Sequence, residues 1–224
     1  MRSISNILQS LYQLKWEGLN ILECGANQLG EETCSLEKTN NCWYIEANPA
    51  DYEILKTNRK NTLNFALSDK VGTIAFNVSS HAGNSSCEYS QQHLNELKGY
   101  GASITQIVVE SISYEALLNR LDMIFDIVVL DIEGHEKVVL QSWQSLAVEL
   151  LPTIVAIECG YDWTERYSIL KDLGYKADCY FYNNCFLSKA SVNPVNKVAD
   201  EYNKQWKQFV YNGMIIYNND LLSF

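Results

Sequence analysis

The sequence of 224 residues predicts one α/β domain, spanning 1–224, built on a doubly wound, mostly parallel sheet with helices on both faces. Three observations predict it. Short apolar runs alternate with segments of helical spacing, the βαβ pattern of a parallel sheet. Four of those runs end in an acid: Glu23, Glu46, Asp131 and Glu158. The first run breaks at once into a glycine turn, Gly25-Ala26-Asn27-Gln28-Leu29-Gly30, of the kind that seats a nucleotide-like ligand at the carboxyl edge of a sheet.

The elements follow in order. Ile4, Ile7, Leu8 and Leu11 recur at helical spacing, so a covering helix is expected within residues 1–18. Leu19–Cys24 is the first strand, and Leu29–Lys38 can be helical after the turn. Cys42–Ala47 is the second strand; Asn48-Pro49 ends it, and Pro49 suits the first turn of a helix that Ala50–Arg59 continues. Thr62–Leu67 reads as a third strand and residues 72–79 as an extra one. Residues 80–105 are polar, with a short helix expected at Gln91–Leu97, and read as an inserted loop or lid. Gln106–Ser111 is another strand. Ser113 caps a helix, Tyr114–Leu121. Phe125–Leu130 is apolar throughout, as a central strand buried on both faces should be. A helix from His135 to Leu146, a strand at Thr153–Ile157, a helix at Thr164–Leu173 and strands at Tyr175–Tyr182 and Met214–Tyr217 complete the pattern. A partly helical stretch is expected at 195–208. The C-terminal segment either completes the sheet or pairs across a homodimer.

Composition narrows the function. At 47% hydrophobic residues the chain can bury a sizeable core. A formal net charge of −10, with no basic run longer than Arg59-Lys60, disfavours a nucleic-acid partner. Seven cysteines without a C-x-x-C pair fit buried free thiols in a reducing cytoplasm. No apolar run approaches the ~20 residues that span a bilayer.

In a doubly wound sheet the four strand-end acids share one edge, where ligands bind. Glu46 follows Glu23 by the offset at which a carboxylate accepts hydrogen bonds from a ribose diol; read alone, it is equally a solvated strand-end acid. Asp131-Ile132-Glu133-Gly134-His135-Glu136 gathers three carboxylates and an imidazole at the end of a buried strand. Like charges repel there, so a cationic ligand or a metal is expected to offset them. Glu136 by itself reads as a helix-start acid that favours the dipole.

Four segments, ILECGANQLGEET, CWYIEANP, NFALSDKVGTIAF and VVLDIEGHE, in this order and spacing resemble the FkbM family of S-adenosylmethionine-dependent methyltransferases, over about residues 19–160. The resemblance implies a seven-stranded, Rossmann-like methyltransferase sheet with the cofactor over the first two strand ends. It also implies O-methylation of a small molecule, sugar or glycan. Carried over by position, Glu23 would face the methionine amine, with Gly25, Ala26, Asn27 and Gly30 under the methionine and ribose. Glu46 would hold the ribose hydroxyls, with Ala47 and Asn48 beside the adenine. Leu67 and Ser68, with Asp69 beside them, would approach the adenine edge. Asp131 and Glu133 would lie near the methionine and sulfonium. One departure stands out: Leu29 occupies a place where the family commonly has glycine, so its side chain is expected to point away from the ligand.

Methyl transfer needs a base for the acceptor's proton. His135 is the one imidazole near the site, unless its ring faces solvent. Asp131 and Glu158 are rival bases, and together offer oxygen ligands for Mg²⁺, a branch the sequence does not favour. His81, Asn84, Ser85 and Ser86 are the candidate acceptor-binding residues of the lid; His93 is expected on a helix surface. Two other classes compete. An NAD(P)-linked oxidoreductase or epimerase would use Tyr167 and Lys171, yet the G-x-G-x-x-G turn it needs is missing. A non-catalytic binding module would keep the fold without the chemistry.

Overall fold

The protein is described from a computed structural model that covers residues 17–158, 163–182, 185–186 and 213–219. The helix expected at 3–15 and the partly helical stretch expected at 195–208 lie outside the described residues.

The chain forms strands β1 (Asn20–Cys24) and β2 (Asn41–Ile45), helix α1 (Pro49–Asn58) and strands β3 (Thr62–Leu63), β4 (Ala66–Ser68) and β5 (Gly72–Ser79). Helix α2 (Gln91–Gly99), strand β6 (Ile104–Ser113), helix α3 (Tyr114–Leu121), strand β7 (Ile127–Leu130) and helix α4 (Glu136–Trp143) follow. Strand β8 (Ile154–Glu158), helix α5 (Trp163–Asp172) and strands β9 (Tyr175–Tyr182), β10 (Cys185–Phe186) and β11 (Gly213–Asn219) complete the described elements.

The main sheet has the order β10-β9-β11-β8-β7-β1-β2-β3. Five neighbouring strands, β8, β7, β1, β2 and β3, are parallel, while β11 runs antiparallel to both β8 and β9. This is the doubly wound, mostly parallel sheet the sequence predicts. It has eight strands rather than seven, because two-residue β10 adds an edge. The C-terminal β11 completes the sheet from within the same chain.

Alternation along the central strands splits the core in two. Ile21, Ile127, Val129, Ile154 and Ala156 pack on one face with Leu55 of α1. Leu22, Val128, Leu130 and Val155 pack on the other with Leu117 of α3, Leu140 and Trp143 of α4, and Leu170 of α5. Both faces of β7 are fully buried, the reason its sequence is apolar throughout.

Two expectations are corrected. The strand expected at Thr62–Leu67 is two strands in two sheets. At its middle, the Asn64 side-chain amide donates to the carbonyls of Glu46 (2.8 Å) and Ala47 (3.2 Å), so ladder pairing with β2 stops there. The chain turns away, and β4 pairs with β6 in a separate sheet of order β4-β6-β5. The helix expected at Leu29–Lys38 is instead a run of turns with one 3₁₀ turn, Cys34–Leu36. The Glu23 carboxylate takes the Thr33 N–H (2.9 Å) and hydroxyl (2.7 Å), so that N–H is not left for an i−4 carbonyl. Cys24, Cys34, Cys42 and Cys87 are free thiols. No helix among the described residues is long and apolar enough to cross a membrane.

Candidate active site

The carboxyl ends of β1, β2 and β7 meet at a cavity of about 350 Å³, roofed by the small sheet. Its floor is the glycine turn. The N–H groups of Gly25 and Ala26 both donate to the Ile45 carbonyl at 3.0 Å, and the Asp131 N–H donates to Cys24 at 3.0 Å, which ties the three strand ends together. Gly25 has φ +79°, and a Cβ there would lie 1.7 Å from the Asp131 carbonyl oxygen. Only glycine lets β1 and β7 approach this closely. The left-handed positions of the turn are Gly25, Asn27 (φ +51°) and Gly30 (φ +55°), not Leu29. A Cβ on Gly30 would lie 2.6 Å from the Tyr44 ring. Leu29 therefore keeps ordinary backbone geometry in place of glycine. Contrary to expectation, it lies on the cavity wall, 43% exposed, and Arg59 Nε fixes its carbonyl at 2.8 Å.

Two buried carboxylates line this floor. Glu46 is 7% exposed; one oxygen accepts from the Asn27 N–H (2.8 Å), the other from the Asn48 N–H (2.7 Å). Burial pushes its pKa up to about 7, against the lowering pull of those hydrogen bonds. Glu23 lies equally deep and is also pushed up to about 7 by burial, with the Thr33 hydroxyl opposing. Each oxygen of Glu46 holds one backbone N–H and keeps capacity for a second donor. The solvated alternative for Glu46 is thereby excluded.

The β7 end supplies Asp131, Ile132, Glu133 and His135 to the wall. Glu133 has φ +56°, a strained conformation for this residue type. What holds the turn is Glu136. Its carboxylate is fully buried, accepts from the N–H groups of Ile132 (3.0 Å) and Gly134 (3.1 Å), and is paired with Arg166 at 2.5 Å. Glu136 does lie in the first turn of α4, as a dipole-favouring acid should, and beyond that it anchors the turn. His135 stands at the N-terminal cap of α4 and is 4% exposed, so the solvent-facing alternative is excluded. Its Nε2 lies 3.0 Å from Ser68 Oγ, and its Nδ1 is buried without a hydrogen-bond partner. Burial lowers its pKa, with Glu136, Glu88 and Asp69 pulling the other way.

The roof comes from the small sheet and the loop after β5. Ala66, Phe76, Ala47 and Cys87 form one apolar cluster and all line the cavity, as do Phe65 and Leu67. Of the expected acceptor-binding residues, Ser85 lines the cavity beside Ala82 and Gly83. His81, Asn84 and Ser86 do not; they build the loop. Asn84 bonds His81 Nδ1 (3.1 Å) and His93 Nε2 (3.2 Å), and its carbonyl accepts from the Tyr89 hydroxyl. Ser86 Oγ donates to the Glu88 carbonyl at 2.8 Å. His93 is half-buried rather than on a free surface, 3.9 Å from Glu133.

Three further expected ligands also stand off the wall. Asn48 caps α1 by accepting from the Ala50 N–H at 3.1 Å, Ser68 turns to His135, and Gly30 packs on Tyr44. Glu158 ends β8 opposite Met214, and its side chain lies outside the described residues. Among the described residues no group of three or more His, Cys, Asp or Glu is placed to hold a metal ion. Sequence reasoning missed Phe65, Phe76 and Arg166. Phe76 had a signal, the inward phase of an alternating strand; Arg166 had none, since its partner is 30 residues away.

A family model described as the methyltransferase FkbM domain matches residues 23–177. No curated protein sequence matches the chain. Among solved structures, magnesium protoporphyrin IX methyltransferase from Synechocystis with bound S-adenosylmethionine is similar at TM-score 0.51 and 8% identity. The match covers 97% of this chain and 78% of that one. The same enzyme with S-adenosylhomocysteine gives TM-score 0.51 and 8% identity, covering 97% and 81%. A TehB-like methyltransferase from Corynebacterium glutamicum gives TM-score 0.46 and 10% identity, covering 97% and 87%. The likenesses to the protoporphyrin methyltransferase are of fold.

Proposed function

Because the chain belongs to the methyltransferase FkbM domain family, we propose that it transfers a methyl group from S-adenosylmethionine to a hydroxyl of a small molecule, sugar or glycan. One observation carries the cofactor assignment. Glu46, at the end of β2, is buried on the cavity floor with both oxygens aligned by the glycine turn and by Asn48. That is the placement a ribose diol requires, and the missing early glycine speaks against a pyrophosphate at the same turn.

The residues present fit the cofactor. Glu46 would accept from the ribose hydroxyls. The apolar wall of Ala47, Phe65, Leu67 and Phe76 suits a flat heteroaromatic ring. Glu23, Asp131 and Glu133 would face the cationic end. When bound, S-adenosylmethionine supplies a methyl group activated on a cationic sulfur. The chain's own task is to hold the acceptor oxygen in line, exclude water and take the hydroxyl proton. His135 is the base we assign: it lines the cavity, burial disfavours its charged form, and its Nδ1 has no protein hydrogen-bond partner. Among the described residues the wall carries seven carboxylates (Glu23, Glu31, Glu32, Glu46, Asp51, Asp131, Glu133) and no lysine or arginine. This supports a neutral or cationic acceptor, since an anionic one would meet like charge.

Calorimetry with S-adenosylmethionine, S-adenosylhomocysteine and NAD tests the reading. Binding of the first two and not the third is expected. Glu46→Ala should weaken S-adenosylhomocysteine by about tenfold or more, the worth of charge-assisted hydrogen bonds. Absence of binding to either sulfur compound sinks the proposal.

A further inference from the structure

Among the described residues, Asn27, Asp122 and Glu133 hold a positive φ without being glycine. Asn27 and Asp122 are of the short polar types that tolerate this region, and Asp122 uses it to end α3. Glu133 is not of that type. Its backbone, at φ +56°, lies between the two amides that the Glu136 carboxylate holds, those of Ile132 and Gly134. Arg166 of α5 holds that carboxylate in turn. A strained residue persists where its surroundings over-determine it, and such residues cluster at ligand sites. The side chain presented in this way lines the cavity, just beyond Asp131 at the end of β7.

The surroundings of Glu133 suit a cation. On the side of α2 and the loop before it, Glu133 meets His93, with Nε2 at 3.9 Å, and Tyr89. Burial lowers the pKa of His93, and burial with the Glu133 charge pushes that of Tyr89 up to about 12, so neither neighbour supplies a fixed positive charge. The strand order β7-β1-β2 sets the direction of the ligand. With ribose on Glu46 at the end of β2, the opposite end of the cofactor, with its positive sulfur, reaches the end of β7.

We propose that Glu133, held in its strained turn by Glu136 and Arg166, pairs with the positive sulfur of S-adenosylmethionine and makes the site tell that compound from S-adenosylhomocysteine. This rests on the cofactor reading above. The two compounds differ at that atom by a methyl group and one unit of charge. Methyl transfer breaks the sulfur–carbon bond and forms the oxygen–carbon bond. The bonding pair stays on sulfur, which becomes neutral, and the hydroxyl proton goes to the base. The attraction to Glu133 is therefore present on loading and gone when the reaction is complete. Being strongest before reaction, it serves loading and product exchange rather than lowering the barrier. Glu136 and Arg166 are positioning residues, since they act on the backbone of 132–134 and not on the ligand.

Calorimetry with both compounds tests this without an acceptor. Wild type should bind S-adenosylmethionine about tenfold tighter than S-adenosylhomocysteine. Glu133→Gln keeps the shape and removes the charge; it should cut that ratio by about fivefold or more and leave S-adenosylhomocysteine within about twofold of wild type. Equal affinities in wild type, or an unmoved ratio in Glu133→Gln, overturn the proposal. Glu133→Gly should also lose the ratio while raising the melting temperature by about 1–4 °C, because glycine adopts this φ freely. A melting temperature below wild type would show that no strain is stored there and would overturn it. Arg166→Lys, which keeps the charge, should hold the ratio, and Arg166→Met should lose it together with stability. A folded Arg166→Met protein with the wild-type ratio overturns the positioning role. Binding of neither compound to wild type strikes the cofactor reading, whereas binding of both with an unmoved ratio strikes this proposal alone.

Discussion

Gly18 and Gly25 both have φ +79°, which makes them a matched pair for asking what the cavity floor requires. Replacing either by alanine imposes the same left-handed strain, roughly 1–2 kcal/mol. At Gly18 nothing lies within 4 Å of the new Cβ, so the strain is the whole effect. At Gly25 the Cβ would lie 1.7 Å from the Asp131 carbonyl oxygen and 2.8 Å from its carbon. Backbone cannot swing aside as a side chain can, so β1 and β7 must separate by more than 1 Å at their ends. That breaks or stretches the Asp131-to-Cys24 bond and the paired bonds of Gly25 and Ala26 to Ile45. Losing two of these three bonds, at about 1–1.5 kcal/mol each, adds roughly 2–3 kcal/mol to Gly25→Ala alone. For a chain of this size the excess is a melting-temperature loss of roughly 4–12 °C beyond Gly18→Ala. The same displacement should also weaken S-adenosylhomocysteine, because the turn that moves is the one that aligns Glu46. The assays are thermal melts of both variants beside calorimetry. Equal melting temperatures for the pair, or wild-type affinity in Gly25→Ala, would refute the reasoning.

Further predictions follow from the buried charges and the sheet junction. Glu46 is pushed from 4.5 up to about 7, so its protonated form favours the fold; that contribution is full below about 4.5 and is lost as pH rises through 7. Glu46→Gln should therefore gain stability relative to wild type between pH 5 and pH 8, by up to about 3 kcal/mol, and a pH-independent difference in melting temperature would contradict this. Arg166→Met leaves Glu136 charged and buried without its ion pair, at a cost of roughly 3–5 kcal/mol in denaturant unfolding; a loss under about 1 kcal/mol would show the pair is dispensable. Asn64→Ala removes both bonds that end β2–β3 pairing and should cost about 1–2 kcal/mol while loosening S-adenosylhomocysteine binding several-fold, whereas unchanged affinity would separate the junction from the site.

Much of the architecture was legible because parallel strands buried on both faces write themselves as apolar runs, and helices as periodic ones. Phe125–Leu130 and Tyr114–Leu121 needed no tertiary information. The strand-end acids and the glycine turn were legible for the same reason: local geometry demands them locally. The helix expected at 29–38 failed because a carboxylate from β1 claims Thr33. The third strand failed because one asparagine diverts it.

By itself the sequence determined the sheet, the edge where the cavity opens, and the residue types that gather there. Periodicity, turn chemistry and charge all act over a few residues, so they survive without coordinates. Only the tertiary structure decided which of those residues face the cavity. It turned Asn48 into a helix cap, Ser68 into a partner of His135, Glu136 into the anchor of the β7 turn through Arg166, and a second small sheet into the roof. Each decision is a contact between segments far apart in the chain, made by a side chain whose hydrogen-bond capacity could be filled in several ways. Burial chose among them.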